Sequence, residues 1–198
     1  AHKGKYTDLI VNNYDVYKVL MFEPQKNIFQ YLKKKYKKNK RIKIFDCAVS
    51  DKNKKKELFI NKHDLTSSLT ELNPNNKYLS IKSKLFGTNF AGMIEKKNII
   101  QTNRLDKIIK DQSIKKIDLI KIDTEGHELE VLQGFEKKLK SVKIIIIEFH
   151  KANIYLNYHS KKIERILKKN HFELNKTIKF PFTTWEDRIY LNTSEEKK

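Results

Sequence analysis

Residues Lys121 to Glu128 read Lys-Ile-Asp-Thr-Glu-Gly-His-Glu, which puts Asp123, Glu125 and Glu128 within six positions at the junction of an aliphatic run and a helical pattern. Carboxylates that close repel one another unless a proton or a cation is shared among them. Helix capping accounts for part of the pattern, since Asp, Thr and Glu near a helix start satisfy its orphan amides, and Glu128 then supplies first-turn charge. A second group, Glu148-Phe149-His150, closes the next aliphatic run, and two residues of spacing on a strand aims Glu148 and His150 to one side of a sheet. A histidine near neutral pKa, or a carboxylate raised by like-charged neighbours, suits removal of a proton from a hydroxyl. Asp123, Glu125 and His150 are therefore the candidate bases. Oxygen ligands with one imidazole also serve a divalent cation, but no tight ligand spacing is visible, and a metal-free site is the expectation.

A third group lies at the start of the chain. Ala1-His2-Lys3-Gly4 precedes a helical pattern, and small residues there let backbone amides approach an anionic group. Glu23 ends a short aliphatic run 19 residues after Gly4, close to the roughly 20 that separate glycine loop and ribose-binding acid in dinucleotide folds. The plainer reading of Glu23 is a carboxylate favoured by the dipole of the helix that follows. His63, His127, His159 and His171 read as surface or packing residues.

The elements that must position these groups alternate between helical and strand patterns, which argues for an α/β domain, its sheet mostly parallel with helices on both faces. Helices are expected over 5–13, 27–38, 105–110, 128–135 and 160–170. Strands are expected over 17–22, 42–49, 57–61, 99–103, 117–122 and 142–149, with 172–178 and 188–192 closing an antiparallel edge. Continuous apolar runs such as Ile144 to Ile147 belong to strands covered on both faces. The stretch from Asp64 to Gly92, rich in Ser, Asn, Gly and Pro signals, reads as a loop insertion near an acceptor site. The whole of 1–198 reads as one domain.

The net charge of +19 raises nucleic acid as a partner. Yet 39 of the basic residues are Lys and only 4 are Arg, whereas nucleic-acid readers lean on the bidentate fork of Arg, so a solvated surface is the expected reading. No apolar run approaches the roughly 20 residues of a membrane span. The single cysteine, Cys47, lies in an apolar stretch where a buried, inert thiol is usual, and a cytoplasmic, reducing compartment is expected.

Phe22-Glu23-Pro24, Ala48-Val49-Ser50-Asp51, Arg104-Leu105-Asp106, the block from Ile117 to Gly134 and Ile147-Glu148-Phe149-His150 together resemble the FkbM family of methyltransferases. The resemblance spans nearly the whole chain, and Lys-Ile-Asp-x-Glu-Gly-x-Glu is its most specific part. It implies a Rossmann-like class I methyltransferase fold, S-adenosylmethionine as donor, and a hydroxyl on a sugar or small natural product as acceptor. It also implies that Ala1, His2 and Gly4 cradle the methionine part, that Glu23 beside Pro24 holds the ribose, that Asp46 to Ala48 line the adenine, and that Asp123 sits by the transferred methyl. The family's loop normally follows an Asp on a first, central strand. That strand is expected upstream of Ala1, leaving 17–22 and 117–122 parallel and about 9.5 Å apart, twice the strand spacing. A non-catalytic glycan- or nucleotide-binding module and an NAD-dependent oxidoreductase are the rival readings.

Overall fold

The computed structural model describes residues 1–61, 67–85, 87, 94–151 and 153–194. Helix α1 spans Lys5–Asn13, strand β1 Val19–Phe22 and helix α2 Lys26–Lys35. Strands β2 (Ile42–Phe45), β3 (Ala48–Val49), β4 (Lys54–Asn61) and β5 (Ser67–Ser68) follow, then α3 (Lys77–Leu85), β6 (Ile94–Asn103) and α4 (Leu105–Asp111). The chain closes with β7 (Ile117–Ile122), α5 (Glu128–Gln133), a 3-10 turn (Glu136–Ser141), β8 (Val142–His150), α6 (Ser160–Lys169), β9 (Phe172–Lys179) and β10 (Trp185–Asn192).

The α/β class holds, but the strands are of mixed orientation, where a mostly parallel sheet was expected. β1 and β2 run parallel as a pair. β7 and β8 run parallel, and β10 and β9 extend that sheet antiparallel in the order β7-β8-β10-β9, as the C-terminal edge was expected to do. The third sheet, β3-β6-β4-β5, is built around the long antiparallel β4–β6 pairing. Among the described residues β1 and β7 share no hydrogen-bonded ladder, although Leu20 and Phe22 of β1 pack against the same core as Ile117 and Ile120 of β7.

That core joins the undersides of α5 and α6 to β8: Leu132, Leu139, Ile145, Ile147, Ile163 and Leu167 are fully enclosed. Side chains of this size each contribute about 1.5 to 3 kcal/mol when buried, which holds the carboxyl ends of β7 and β8 in fixed register. A smaller core of Met21, Leu32 and Tyr36 does the same for β1.

Two expected boundaries fail for physical reasons. The run 42–49 is two strands, because the chain leaves β1's partner at Asp46 and Cys47 and crosses to pair with β6. The 64–92 stretch is not loop throughout: it contains β5, a bridge from Leu72 to Tyr155 and helix α3. Its residues 64–66, 86 and 88–92, like His63, lie outside the described residues.

Candidate active site

The register of β7 and β8 aligns Ile122 with Ile147, so the residues that follow, Asp123 and Glu148, sit side by side at the strand ends. His150 lies two residues further on, which places it about 8 Å from Asp123 by strand geometry. Asp123 is the accessible member, its side chain 45% exposed. Glu148 and His150 are buried.

The turn after β7 is strained and tightly fitted. Glu125 has φ 55 and Gly126 φ 89, and a non-glycine residue in the left-handed region costs of order 1 kcal/mol or more. A Cβ on Gly126 would lie 2.3 Å from the ring of Tyr155, so that position admits glycine alone. The turn is held from outside by Ser68, whose Oγ donates to the Glu125 carbonyl at 2.5 Å, and by Thr70, whose Oγ1 donates to the Gly126 carbonyl at 3.0 Å. From inside, Glu128 Oε1 accepts from the amides of Thr124 at 2.9 Å and Gly126 at 3.2 Å, and from the Thr124 hydroxyl at 3.1 Å. Glu128 thus caps the turn, as the plainer reading held, but it is wholly buried rather than first-turn surface charge. Burial pushes its pKa up to about 7, against the hydrogen bonds that favour the ionised form.

Tyr155 ties this turn to β8. Its hydroxyl donates to Glu125 Oε2, and its ring meets the His150 imidazole edge-on at 4.9 Å. Tyr158 flanks the imidazole at 5.4 Å and accepts the His150 amide on its hydroxyl at 3.1 Å. Burial drives the His150 pKa down to about 4, so the imidazole is neutral at pH 7. Burial also raises Glu148, and the hydrogen bond to Asp123 together with the charges of Asp123 and Glu125 raises it further. For Asp123 burial acts upward, but the hydrogen bond from Glu148 and the charge of Lys121 outweigh it and hold the carboxyl below its ordinary range. Lys121 Nζ lies 3.6 Å from Asp123 and 2.7 Å from Asp187 of β10.

The first loop is tied to the end of β1. The backbone nitrogen of Ala1 donates to Glu23 Oε2 at 3.0 Å, the His2 amide donates to the same oxygen at 2.8 Å, and the Gln25 amide donates to Oε1 at 2.9 Å. Glu23 is buried, and the amide of Glu23 donates to the Phe45 carbonyl, which sets it beside Asp46 at the ends of β1 and β2. Asp46 is exposed, while Cys47 and Ala48 are buried. Pro24 precedes the N-cap Gln25 rather than opening α2 itself. Gly4 has φ 75, and a Cβ there would stand 2.4 Å from the Tyr36 hydroxyl. Packing alone therefore explains that glycine.

Asp123, Glu125 and His150 lie together at the ends of β7 and β8; Ala1, His2, Glu23, Pro24 and Asp46 adjoin the ends of β1 and β2, whereas Gly4 packs against Tyr36 and Ala48 is buried at the start of β3. Sequence reasoning missed Glu148 as a full member, along with Lys121, Tyr155, Tyr158 and Asp187. The pair Tyr155 and Tyr158 in the short stretch after a strand was the one available signal, whereas Asp187 is placed by antiparallel register, which no local pattern reports. His127, read as surface or packing, is a packing residue: it is buried, with Nε2 2.9 Å from Ser50 Oγ. His159 and His171 are at the surface.

The polar groups of this α/β chain thus gather outside the carboxyl ends of its two parallel strand pairs, the edge at which open α/β sheets bind ligands. A family profile described as the methyltransferase FkbM domain matches residues 1–174, and the chain belongs to that family. It is also 41% identical over 51 residues to the hexuronic acid methyltransferase AglP of Haloferax volcanii. That alignment covers 26% of this chain and 21% of the relative, so the chain spans about a fifth of that protein's length. No solved structure matches the chain. Among the described residues no helix is long and apolar enough to cross a membrane.

Proposed function

We propose that this chain is an S-adenosylmethionine-dependent O-methyltransferase with a Rossmann-like cofactor site, acting on a hydroxyl of a sugar or small natural product. The observation that carries the reading is Asp123: an accessible carboxylate at a strand end, kept ionised by Glu148 and Lys121. The donor set on the β1 and β2 side fits the cofactor. Glu23 uses three of its roughly four acceptor positions on the backbone nitrogens of Ala1, His2 and Gln25 and keeps one on Oε1 for a ribose hydroxyl. Asp46 stands exposed beside it for the adenine side.

When bound, the donor supplies a methyl group on a positively charged sulfur that leaves readily. What remains for the protein is to hold the acceptor oxygen in line and to take its proton. Asp123 receives that proton as the oxygen attacks, while Glu148, donating to Asp123, fixes the carboxylate's direction, and Glu125 and His150 form the wall behind. The shallow depression lined by Asn73, Asn75, Asn76, Lys77, Tyr78 and Asn153 supports a hydroxyl-rich acceptor. It lies on the strap that Leu72 joins to Tyr155, in the region read from sequence as the acceptor side. The relative's name supports a sugar acid within that class. Buried Cys47, its thiol pushed up by burial, suits a cytoplasmic setting.

The test is calorimetry with S-adenosylmethionine and with NAD, then transfer of labelled methyl to neutral and uronic-acid sugars by wild type and Asp123→Asn. Donor binding without NAD binding is expected, together with a turnover loss of about 10²- to 10⁴-fold for Asp123→Asn, the usual contribution of a general base. Binding of NAD alone points to the oxidoreductase, and donor binding with no transfer to any acceptor points to the non-catalytic module.

A further inference from the structure

We propose that Glu125, Glu148 and His150 form a binding site for one divalent cation of the Mn²⁺ or Zn²⁺ class, at the floor of the cleft behind Asp123. Each contributes one donor atom, and the three atoms lie within 4.8 Å of one another. Metal bonds of about 2.0 to 2.2 Å set neighbouring ligand atoms about 3 to 4 Å apart, so the cluster has to close by at most about 1 to 2 Å, within reach of χ rotations of the two Glu side chains.

Carboxylates near one another are common without an ion, and the argument needs more than their proximity. It comes from the imidazole. The side chain of His150 is only 2% exposed, and its Nε2 has no hydrogen-bond partner. Its Nδ1 stands 3.9 Å from Glu148 Oε1 and its Nε2 4.0 Å from Glu128 Oε1, both beyond hydrogen bonding. The ring is held in that attitude from both sides, by Tyr155 and Tyr158. A buried nitrogen left unpaired costs about 1 to 3 kcal/mol, and native proteins seldom leave one without a reason such as an unplaced ion or water. Glu128 Oε2, wholly buried a few ångströms away, is unpaired as well. The imidazole thus stands between two carboxylates, Glu148 on its Nδ1 side and Glu128 on its Nε2 side, with buried polar atoms left unpaired.

The ligand types select the cation. Two carboxylates with one imidazole favour a first-row divalent ion over Ca²⁺, which takes six to eight oxygens. Tyr155, donating to Glu125 Oε2, is the kind of outer partner that fixes a ligating carboxylate. Binding displaces the Glu148 proton that bonds Asp123 in the cation-free site, and the cation would then hold acceptor oxygens next to Asp123 and polarise them. That use rests on the methyltransferase reading, whereas the binding site does not.

The experiment titrates the chain, stripped with chelator, with MnCl₂ and separately with ZnCl₂ by calorimetry, in the absence of S-adenosylmethionine, and titrates the donor in parallel. One equivalent of cation is expected, with affinity reduced by more than about tenfold in each of Glu125→Gln and His150→Gln. Because those variants could unfold, Mn²⁺ bound to wild type is also examined by pulsed electron paramagnetic resonance, where coupling to an imidazole nitrogen is expected. No saturable binding, bound Mn²⁺ without nitrogen coupling, or affinity indifferent to both substitutions in folded protein overturns the site. Cation binding without donor binding leaves the site standing and sinks the methyltransferase reading, while the reverse result sinks the site alone.

Discussion

Two strand ends of this molecule each bury a carboxylate, and they satisfy it in opposite ways. At the end of β1, Glu23 is surrounded by backbone: the backbone nitrogens of Ala1, His2 and Gln25 donate to it, and its enclosure knits the first loop to the start of α2. At the ends of β7 and β8, Glu128 spends one oxygen on the amides of the turn, while Asp123, Glu125 and Glu148 meet one another, Lys121, Tyr155 and a neutral imidazole, and two buried polar atoms there find no partner. Backbone donors are fixed by the fold and leave Glu23 with one acceptor position to offer. Carboxyls that face each other stay open to a proton, a substrate or an ion, which is why the proposed chemistry lies in the second region and the proposed cofactor contact in the first.

The largest expected effect breaks the second region mechanically. Gly126→Ala forces a Cβ into the Tyr155 ring at a backbone angle that L residues avoid, and a stability loss of about 3 kcal/mol or more is expected by chemical denaturation. A loss under about 1 kcal/mol shows that the turn is loose and that the Tyr155 contact does not hold it. Next in size, Glu23→Ala tests whether the first region binds ligand at all. Weakening of S-adenosylmethionine by about 1.5 to 3 kcal/mol is expected, the usual contribution of hydrogen bonds to a charged group. Unchanged affinity in a folded variant makes Glu23 a strut and nothing more. The smallest effect is a pH dependence confined to the first region. Asp8 is held below the ordinary carboxylate range chiefly by the hydrogen bond from Lys35 and then by that from Tyr36. Its stabilisation is complete above the unfolded value of about 3.9 and is lost as pH falls through the lower folded value. Asp8→Asn should therefore flatten the loosening of α1 below pH about 4, read from amide protection corrected for intrinsic rates. The same acid profile in variant and wild type removes Asp8 from the account.

The strands and helices that end in apolar residues were legible to within a residue or two: Lys5–Asn13 and Ile117–Ile122 fall where periodicity puts them. β4 and β6 begin several residues earlier than expected because Lys54 to Lys56 and Glu95 to Lys97 are polar runs, and only the antiparallel pairing between them makes them strand. α3 was hidden for the opposite reason: Lys77–Leu85 has a weak apolar face and flanking turn residues, so it reads as loop until Leu79 docks beside Leu72 and Tyr155. In the site, Asp123, Glu125 and His150 were visible because strand ends announce themselves in sequence. Glu148 was visible as a residue but not as Asp123's neighbour, since that depends on the register of two strands, and Asp187 depends on a third.

Helix α1 buries none of its residues. It is moored at its N-terminal turn, where the Tyr36 hydroxyl donates to the Gly4 carbonyl at 2.9 Å and Lys35 reaches Asp8. β8, by contrast, lies between two sheet partners and carries the fully enclosed Ile145 and Ile147. Segments with few buried contacts open on their own, at free energies well below that of global unfolding. Helix α1 is therefore expected to open on its own as a unit, with amide exchange running ahead of exchange in β8 by orders of magnitude. A ligand that bridges this loop and Glu23 closes that unit without touching the rest, so donor occupancy should appear as slowed exchange in α1 against an unchanged background in β8.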